Sequence, residues 1–137
     1  MPARIILLFL AAALILAAGC DGKAQEKAEQ GEREPGRTPA QITFIELGSV
    51  KCIPCRAMQP VMHAIQEKFG TQIEIIFYDV WQPDQRHYGQ QYHIRLIPTQ
   101  VFLDDNGIEI LRHEGFFPEQ EITEFLVAQG LTPIGDR

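Results

Sequence analysis

Along residues 41–131, β-type runs of branched and aromatic residues alternate with a three- and four-residue apolar rhythm. Residues 41–47 (QITFIEL) and 72–80 (QIEIIFYDV) predict two strands. Between them the period changes. Ala57, Met58, Val61, Met62, Ile65 and Phe69 recur at helical spacing and Gly70 follows as a stop, so residues 56–69 predict an amphipathic helix. Residues 84–93 predict a short helix that starts at Pro83-Asp84 and is weakened by Gly89. Residues 99–103 and 108–113 predict two more strands, joined by a turn at Asp104-Asp105-Asn106-Gly107 in which Asn-Gly supplies positive φ angles. Pro118 opens a final helix to about Gln129, with Ile122, Phe125 and Leu126 facing inward and Gly130 as its stop. The order βαβαββα predicts an α/β domain with a parallel strand pair, a right-handed crossover and an added antiparallel hairpin.

The first 39 residues follow a different logic. Arg4 precedes an apolar run over residues 5–18, the length of a signal h-region and short of the roughly 20 residues a span needs. The run closes Leu16-Ala17-Ala18-Gly19-Cys20, which resembles the lipobox of bacterial lipoproteins. Leucine usually stands three places before the cysteine; here Ala17 holds that place and Leu16 lies one earlier. The resemblance implies a signal peptide over 1–19, lipidation of Cys20 and an anchored protein; the plainer alternative is a secretory signal cut nearby. Asp21 fits the pattern that retains enteric-type lipoproteins at the inner membrane. Residues 21–39 carry nine charged residues, three glycines, two prolines and no large apolar side chain. They read as a flexible tether spanning about 25 Å. The expected organisation is therefore signal 1–19, tether 20–39, domain 40–131 and tail 132–137.

Charge narrows the partners. The domain over 40–131 holds six Lys/Arg and twelve Asp/Glu, net −6, which argues against nucleic acid and against direct adhesion to an anionic bilayer. The chain has three cysteines. Lipidation of Cys20 leaves one pair, Cys52 and Cys55, in an oxidising compartment.

Cys52-Ile53-Pro54-Cys55 carries the chemistry. Two thiols three residues apart close into a small disulfide, and a helix N-terminus favours the thiolate that performs exchange. The competing readings are a static disulfide or half of a zinc site. Tetrahedral zinc wants four ligands, and no second cysteine pair exists; His63, His87, His93 and His113 show no metal spacing and read as surface or satisfied residues. Met58, Met62 and Trp81 read as packing residues.

Residues 92–99, Tyr-His-Ile-Arg-Leu-Ile-Pro-Thr, are similar to the thioredoxin segment Tyr-Gly-Ile-Arg-Gly-Ile-Pro-Thr. Pro60 lies five residues after Cys55, Asp105-Asn106-Gly107 falls at the hairpin and Gly115 after the last strand, all as in that family. Over about 41–128 the chain thus resembles a thioredoxin-family domain in its minimal βαβαββα form, a mixed four-stranded sheet flanked by helices. The resemblance implies Cys52 as nucleophile and Cys55 as the more buried resolving thiol. It implies a cis Pro98 facing them, with Ile97, Pro98, Thr99 and Gly115 as the substrate wall. Glu46 matches the family's buried carboxylate and implies a proton relay for Cys55, against the plainer reading of a solvent-facing strand residue. The lysine that accompanies this acid in thioredoxin has no match, since Phe77, Tyr78 and Asp79 occupy the neighbouring strand.

Ile53 and Pro54 imply a reducing potential, because proline before the second cysteine marks reducing members. Lys51 departs from the family, which has tryptophan there; a cation should favour the Cys52 thiolate. The implied function is a membrane-tethered oxidoreductase outside the cytoplasmic membrane, mainly reducing, probed against two alternatives: a disulfide-donating oxidase and a non-catalytic binding or holdase module. No nicotinamide or flavin motif is present, so the expectation is no cofactor and re-reduction by a membrane-embedded thiol donor. Expected partners are exported protein disulfides or apocytochrome c thiols, with the protein acting as a monomer in cell redox homeostasis or cytochrome c maturation.

Overall fold

The computed structural model describes residues 40–135. The expected signal segment, Cys20 and the expected tether lie outside the described residues, as do positions 136–137. Seven main elements follow in order: β1 (Ile42–Gly48), α1 (Ile53–Phe69), β2 (Ile73–Asp79), α2 (Arg86–Gln91), β3 (Thr99–Asp104), β4 (Glu109–Glu114) and α3 (Glu119–Ala128). The strands form one mixed sheet in the order β2-β1-β3-β4. β1 and β2 pair in parallel, and the other two pairings are antiparallel. The expected α/β topology is the observed one.

Two apolar layers hold the sheet. On one face Ile42, Phe44, Ile73 and Phe102 meet Met58, Met62, Ile65 and Phe69 of α1 and Ile122 and Leu126 of α3. On the other, Ile45, Leu47 and Val101 are covered by Tyr88 of α2 with Tyr92 and Ile94. Tyr78 stacks on Tyr88 with ring centroids 3.6 Å apart, which fixes α2 to β2. Lys68 of α1 reaches Glu119 and Thr123 of α3 and ties the two helices across their shared face.

Several local expectations need correction. α1 begins at Ile53 rather than 56, because Pro54 is accepted in the first turn, where its missing N–H costs nothing. Pro60 lies inside the helix. Ala57 is exposed rather than on the buried stripe. α2 is shorter than 84–93: Pro83 and Asp84 sit in turns before it, and His93 leaves the helical region at φ 51°. At the hairpin only Gly107 takes a positive φ, 77°, so the connection is not the two-residue Asn-Gly turn. Asp104 closes it instead, its Oδ1 accepting from the backbone N–H of Asn106 and Ile108. Residues 132–135, expected as a tail, return to the domain. The Ile134 N–H donates to the Lys68 carbonyl at 2.7 Å, and the Gln72 side chain bonds both backbone groups of Thr132.

Candidate functional site: the cysteine pair and its buried acid

The site lies at the end of the sheet where β1 and β2 finish and β3 begins. β1 stops at Gly48, and Ser49-Val50-Lys51 turns the chain into α1. The Cys52 N–H donates to the Ser49 carbonyl at 3.1 Å. Cys52 is the N-cap of α1, and its Sγ accepts from the Cys55 N–H at 3.4 Å. A sulfur there faces the unpaired N–H groups and positive dipole end of a 17-residue helix, which favours its anion. Cys52 and Cys55 form a disulfide with Cα atoms 5.3 Å apart. Cys52 keeps 8% of its surface open while Cys55 has none. That asymmetry leaves only the first sulfur open to a large partner. Lys51 and Arg56 are exposed on either side of the pair and place two cations beside it on an acidic domain.

Gly48 is a necessity of this packing. A Cβ at that position would lie 3.2 Å from Cys55 Cβ, 3.3 Å from Cys55 Sγ and 3.3 Å from the Phe77 ring. Its lack of a side chain lets β1 pass directly under Cys55.

Glu46 is two residues back on the same face of β1, about 7 Å along the strand. It is fully buried. Burial pushes its pKa up from 4.5 to about 8, and a hydrogen bond from Gln100 opposes that rise. Gln100 Nε2 donates to Glu46 Oε2 at 2.8 Å, whereas Glu46 Oε1 has no partner among the described residues. A buried carboxyl with a free oxygen and a pKa near neutrality can carry a proton in either direction. Phe77 stands beside it on β2, so no cation pairs with the acid from that strand.

The Ile97–Pro98 peptide bond is cis. Pro98 is buried and its carbonyl accepts from the Gly115 N–H at 2.8 Å, joining the start of β3 to the residue after β4. The Thr99 hydroxyl donates to the Leu96 carbonyl at 2.8 Å. Arg95 and Glu114 form a two-pronged ion pair that clips the same loop to β4. Neither backbone group of Ile97 has a hydrogen-bond partner among the described residues. Leu96, Phe116, Val50 and Ile53 are exposed apolar residues on the loops and first helical turn at this end.

Gln100 and Asp79 have no counterpart among the residues singled out from the sequence. Asp79 ends β2, and one oxygen accepts from the Val50 N–H at 3.3 Å while the other accepts from the Trp81 N–H at 3.1 Å. Burial pushes its carboxyl up, but hydrogen bonds from Ser49, Val50, Trp81 and Gln82 outweigh this and hold it below the usual range. One carboxylate therefore braces the loop that delivers Cys52. It also fixes Trp81 alongside that loop. Trp81 is 53% exposed and is not the packing residue expected from its size. It is the chain's single tryptophan. Reducing the disulfide is expected to raise its emission, because a nearby disulfide quenches an excited indole by accepting an electron. Unchanged emission on adding a thiol reductant would place the ring away from the sulfurs.

The remaining expectations resolve simply. His63, His87 and His93 are exposed. His113 is half-buried, stacks on Phe117 at 4.1 Å and lies 3.2 Å from the Phe116 carbonyl through Nε2. Met58 and Met62 are buried in the α1 core.

Comparison with known proteins accords with this geometry. Residues 33–130 match the model of the family described as the thioredoxin-like domain. The chain belongs to that family. It is 25% identical over 91 residues to the chloroplastic thioredoxin Y of rice, covering 66% of this chain and 51% of that protein. It thus spans about half the length of that curated relative. Among solved structures it resembles a mutant thioredoxin from Halobacterium salinarum, at TM-score 0.56, 21% identity and coverage of 65% and 74% of the two chains. It also resembles thioredoxin-2 of a malaria parasite, described as a component of protein secretion machinery, at TM-score 0.59, 15% identity and coverage of 64% and 82%. At these identities the structural likeness speaks for the fold.

Proposed function

We propose that this protein is a membrane-tethered, extracytoplasmic thiol–disulfide oxidoreductase that mainly reduces protein disulfides. The observation that carries the chemistry is the asymmetry of the pair: Cys52 caps α1 and opens to the surface, while Cys55 is enclosed beside Gly48 and the Glu46 row.

The Cys52 thiolate attacks one sulfur of a substrate disulfide. The substrate S–S bond breaks, one substrate sulfur leaves as thiolate, and a mixed disulfide forms on Cys52. Cys55 passes its proton to Glu46, and its sulfur attacks Cys52 Sγ. The mixed disulfide breaks, the second substrate sulfur leaves, and the Cys52–Cys55 disulfide closes. Two electrons have moved from protein to substrate. The unpaired backbone of Ile97 and the wall formed by Pro98, Thr99 and Gly115 hold an extended substrate segment beside Cys52, and Ile53 and Pro54 tune the potential.

The membrane part of the reading rests on the lipobox-like sequence before Cys20 and the polar run after it. Among the described residues no helix is long and apolar enough to cross a membrane. An anchored domain on the outer side of the cytoplasmic membrane meets exported proteins with wrong disulfides or apocytochrome c thiols. A membrane-embedded thiol donor restores its dithiol, and the domain acts as a monomer without a cofactor.

The reduction potential tests the direction. Equilibration of the purified domain with a dithiol buffer is expected to give a value near thioredoxin's, about −270 mV; a value near −120 mV would make it a disulfide donor instead.

A further inference from the structure

Strand register sets Phe77, Glu46, Gln100 and His113 in one row across the four strands. Directly paired residues share a face, so all four point toward the layer of α1 and α3. Gln100 is fully buried, and its only side-chain hydrogen bond among the described residues runs from Nε2 to Glu46 Oε2 at 2.8 Å. Gln100 Oε1 and Glu46 Oε1 are both closed off from solvent, and neither has a partner among the described residues. Leaving two buried polar atoms unmatched is costly, and an apolar residue at position 100 would remove Gln100 Oε1 only by leaving Glu46 Oε2 without its donor. The amide therefore calls for an explanation beyond packing.

We propose that Gln100 is the positioning residue that holds Glu46 in both of its protonation states while the Cys55 proton is transferred. The inference rests on the proposed exchange through Cys52 and Cys55. The amide N–H donates to Oε2 in the structure, an arrangement that serves the ionised form of Glu46. When the Cys55 S–H bond breaks and Glu46 takes the proton, the new O–H needs an acceptor. Turning the amide about its last side-chain bond presents Gln100 Oε1 to that hydroxyl. The electron pair stays on the Cys55 sulfur and forms the bond to Cys52 as the substrate sulfur leaves. Gln100 ends the step unchanged. An amide carries a donor and an acceptor on one planar group; lysine lacks the acceptor and leucine lacks both.

The surroundings of the pair leave few other groups to play this part. α1 sets Cys55 over Gly48, two residues along β1 from Glu46, and puts Met58 in the core on this face; β2 presents Phe77 and beyond it Asp79, and β4 presents His113. α3 contributes Ile122, Phe125 and Leu126. His113 is engaged with Phe117 and the Phe116 carbonyl, and Asp79 with the Cys52 loop.

The test compares wild type with Gln100→Met, which keeps the volume, and Gln100→Leu. Two quantities are followed against pH: the Glu46 carboxyl by isotope-edited infrared or carbon NMR, and the rate of disulfide reduction. Wild type is expected to titrate near 8 in both. Both variants lose the bond in both states, but the charge-assisted bond to the carboxylate is the stronger, so both midpoints are expected to shift upward by roughly one pH unit, a tenfold loss of ionised Glu46 at a fixed lower pH. Lowered thermal stability with an unmoved Glu46 midpoint would reduce Gln100 to a packing residue and overturn the proposal. A wild type that reduces no disulfide would instead overturn the proposed function, and the spectroscopic midpoint distinguishes the two failures.

Discussion

Replacing Glu46 with leucine is expected to stabilise the domain at pH 8 by roughly 3 kcal/mol while slowing disulfide reduction by about 10- to 100-fold. The stability arises from the gap between the folded pKa of about 8 and the unfolded value of 4.5. Below pH 4.5 both states hold the proton, and Glu46 imposes no ionisation penalty. Between 4.5 and 8 only the unfolded chain releases it, which favours unfolding by about 1.4 kcal/mol per pH unit. Above 8 both states are ionised, and the penalty levels off at roughly 5 kcal/mol. Leucine removes that penalty but strands the Gln100 amide, which returns about 1–3 kcal/mol. Urea unfolding of the oxidised proteins at pH 5 and pH 8 checks this. Wild type should weaken markedly between the two, and Glu46→Leu should stay nearly level. A wild-type stability as high at pH 8 as at pH 5 would mean that the carboxyl titrates normally. The predicted loss of rate sits at the low end for a general base, because a thiol with a pKa near 8.5 also gives its proton to water. A residue that costs stability and supports rate is retained for function.

What could be read from the sequence was mostly what is decided locally. Cys52, Pro54 and Cys55 declare their turn because three residues of spacing fix it. The strands and α1 declare themselves because Phe44, Ile65 and Phe102 must be buried in any fold this chain adopts. Glu46 was legible only through its family resemblance, since alternation alone allowed it to face solvent. The residues that finish the site were not visible because register selects them. Gln100 meets Glu46 across 54 positions of sequence, and Asp79 meets Val50 across 29. Each looks like an ordinary strand residue until β1 is laid between its neighbours. Trp81 failed differently. Its size suggests a core position, but β2 ends at Asp79 and the chain turns outward before the indole can be enclosed. Residues 132–135 likewise carry no periodic signal, and their docking depends on one hydrogen bond to Lys68 and two to Gln72.

The same placement explains how a small domain can separate two chemically identical thiols. Cys52 gains the helix terminus, two flanking cations and an opening to the surface. Cys55 gains enclosure, a place directly above Gly48 and the buried Glu46 carboxyl in the row below. Under the proposed exchange, the first arrangement suits attack on a substrate and the second reserves Cys55 for the resolving step.

Cys55→Ser in the native cell tests this division of labour most directly. Without the resolving sulfur, the mixed disulfide on Cys52 has no internal route to release. The variant is expected to lose turnover and to accumulate covalent adducts with exported proteins, which a thiol reductant releases and a further Cys52→Ser change abolishes. A Cys55→Ser protein whose Cys52 alkylates readily yet captures no partner would contradict exchange through Cys52.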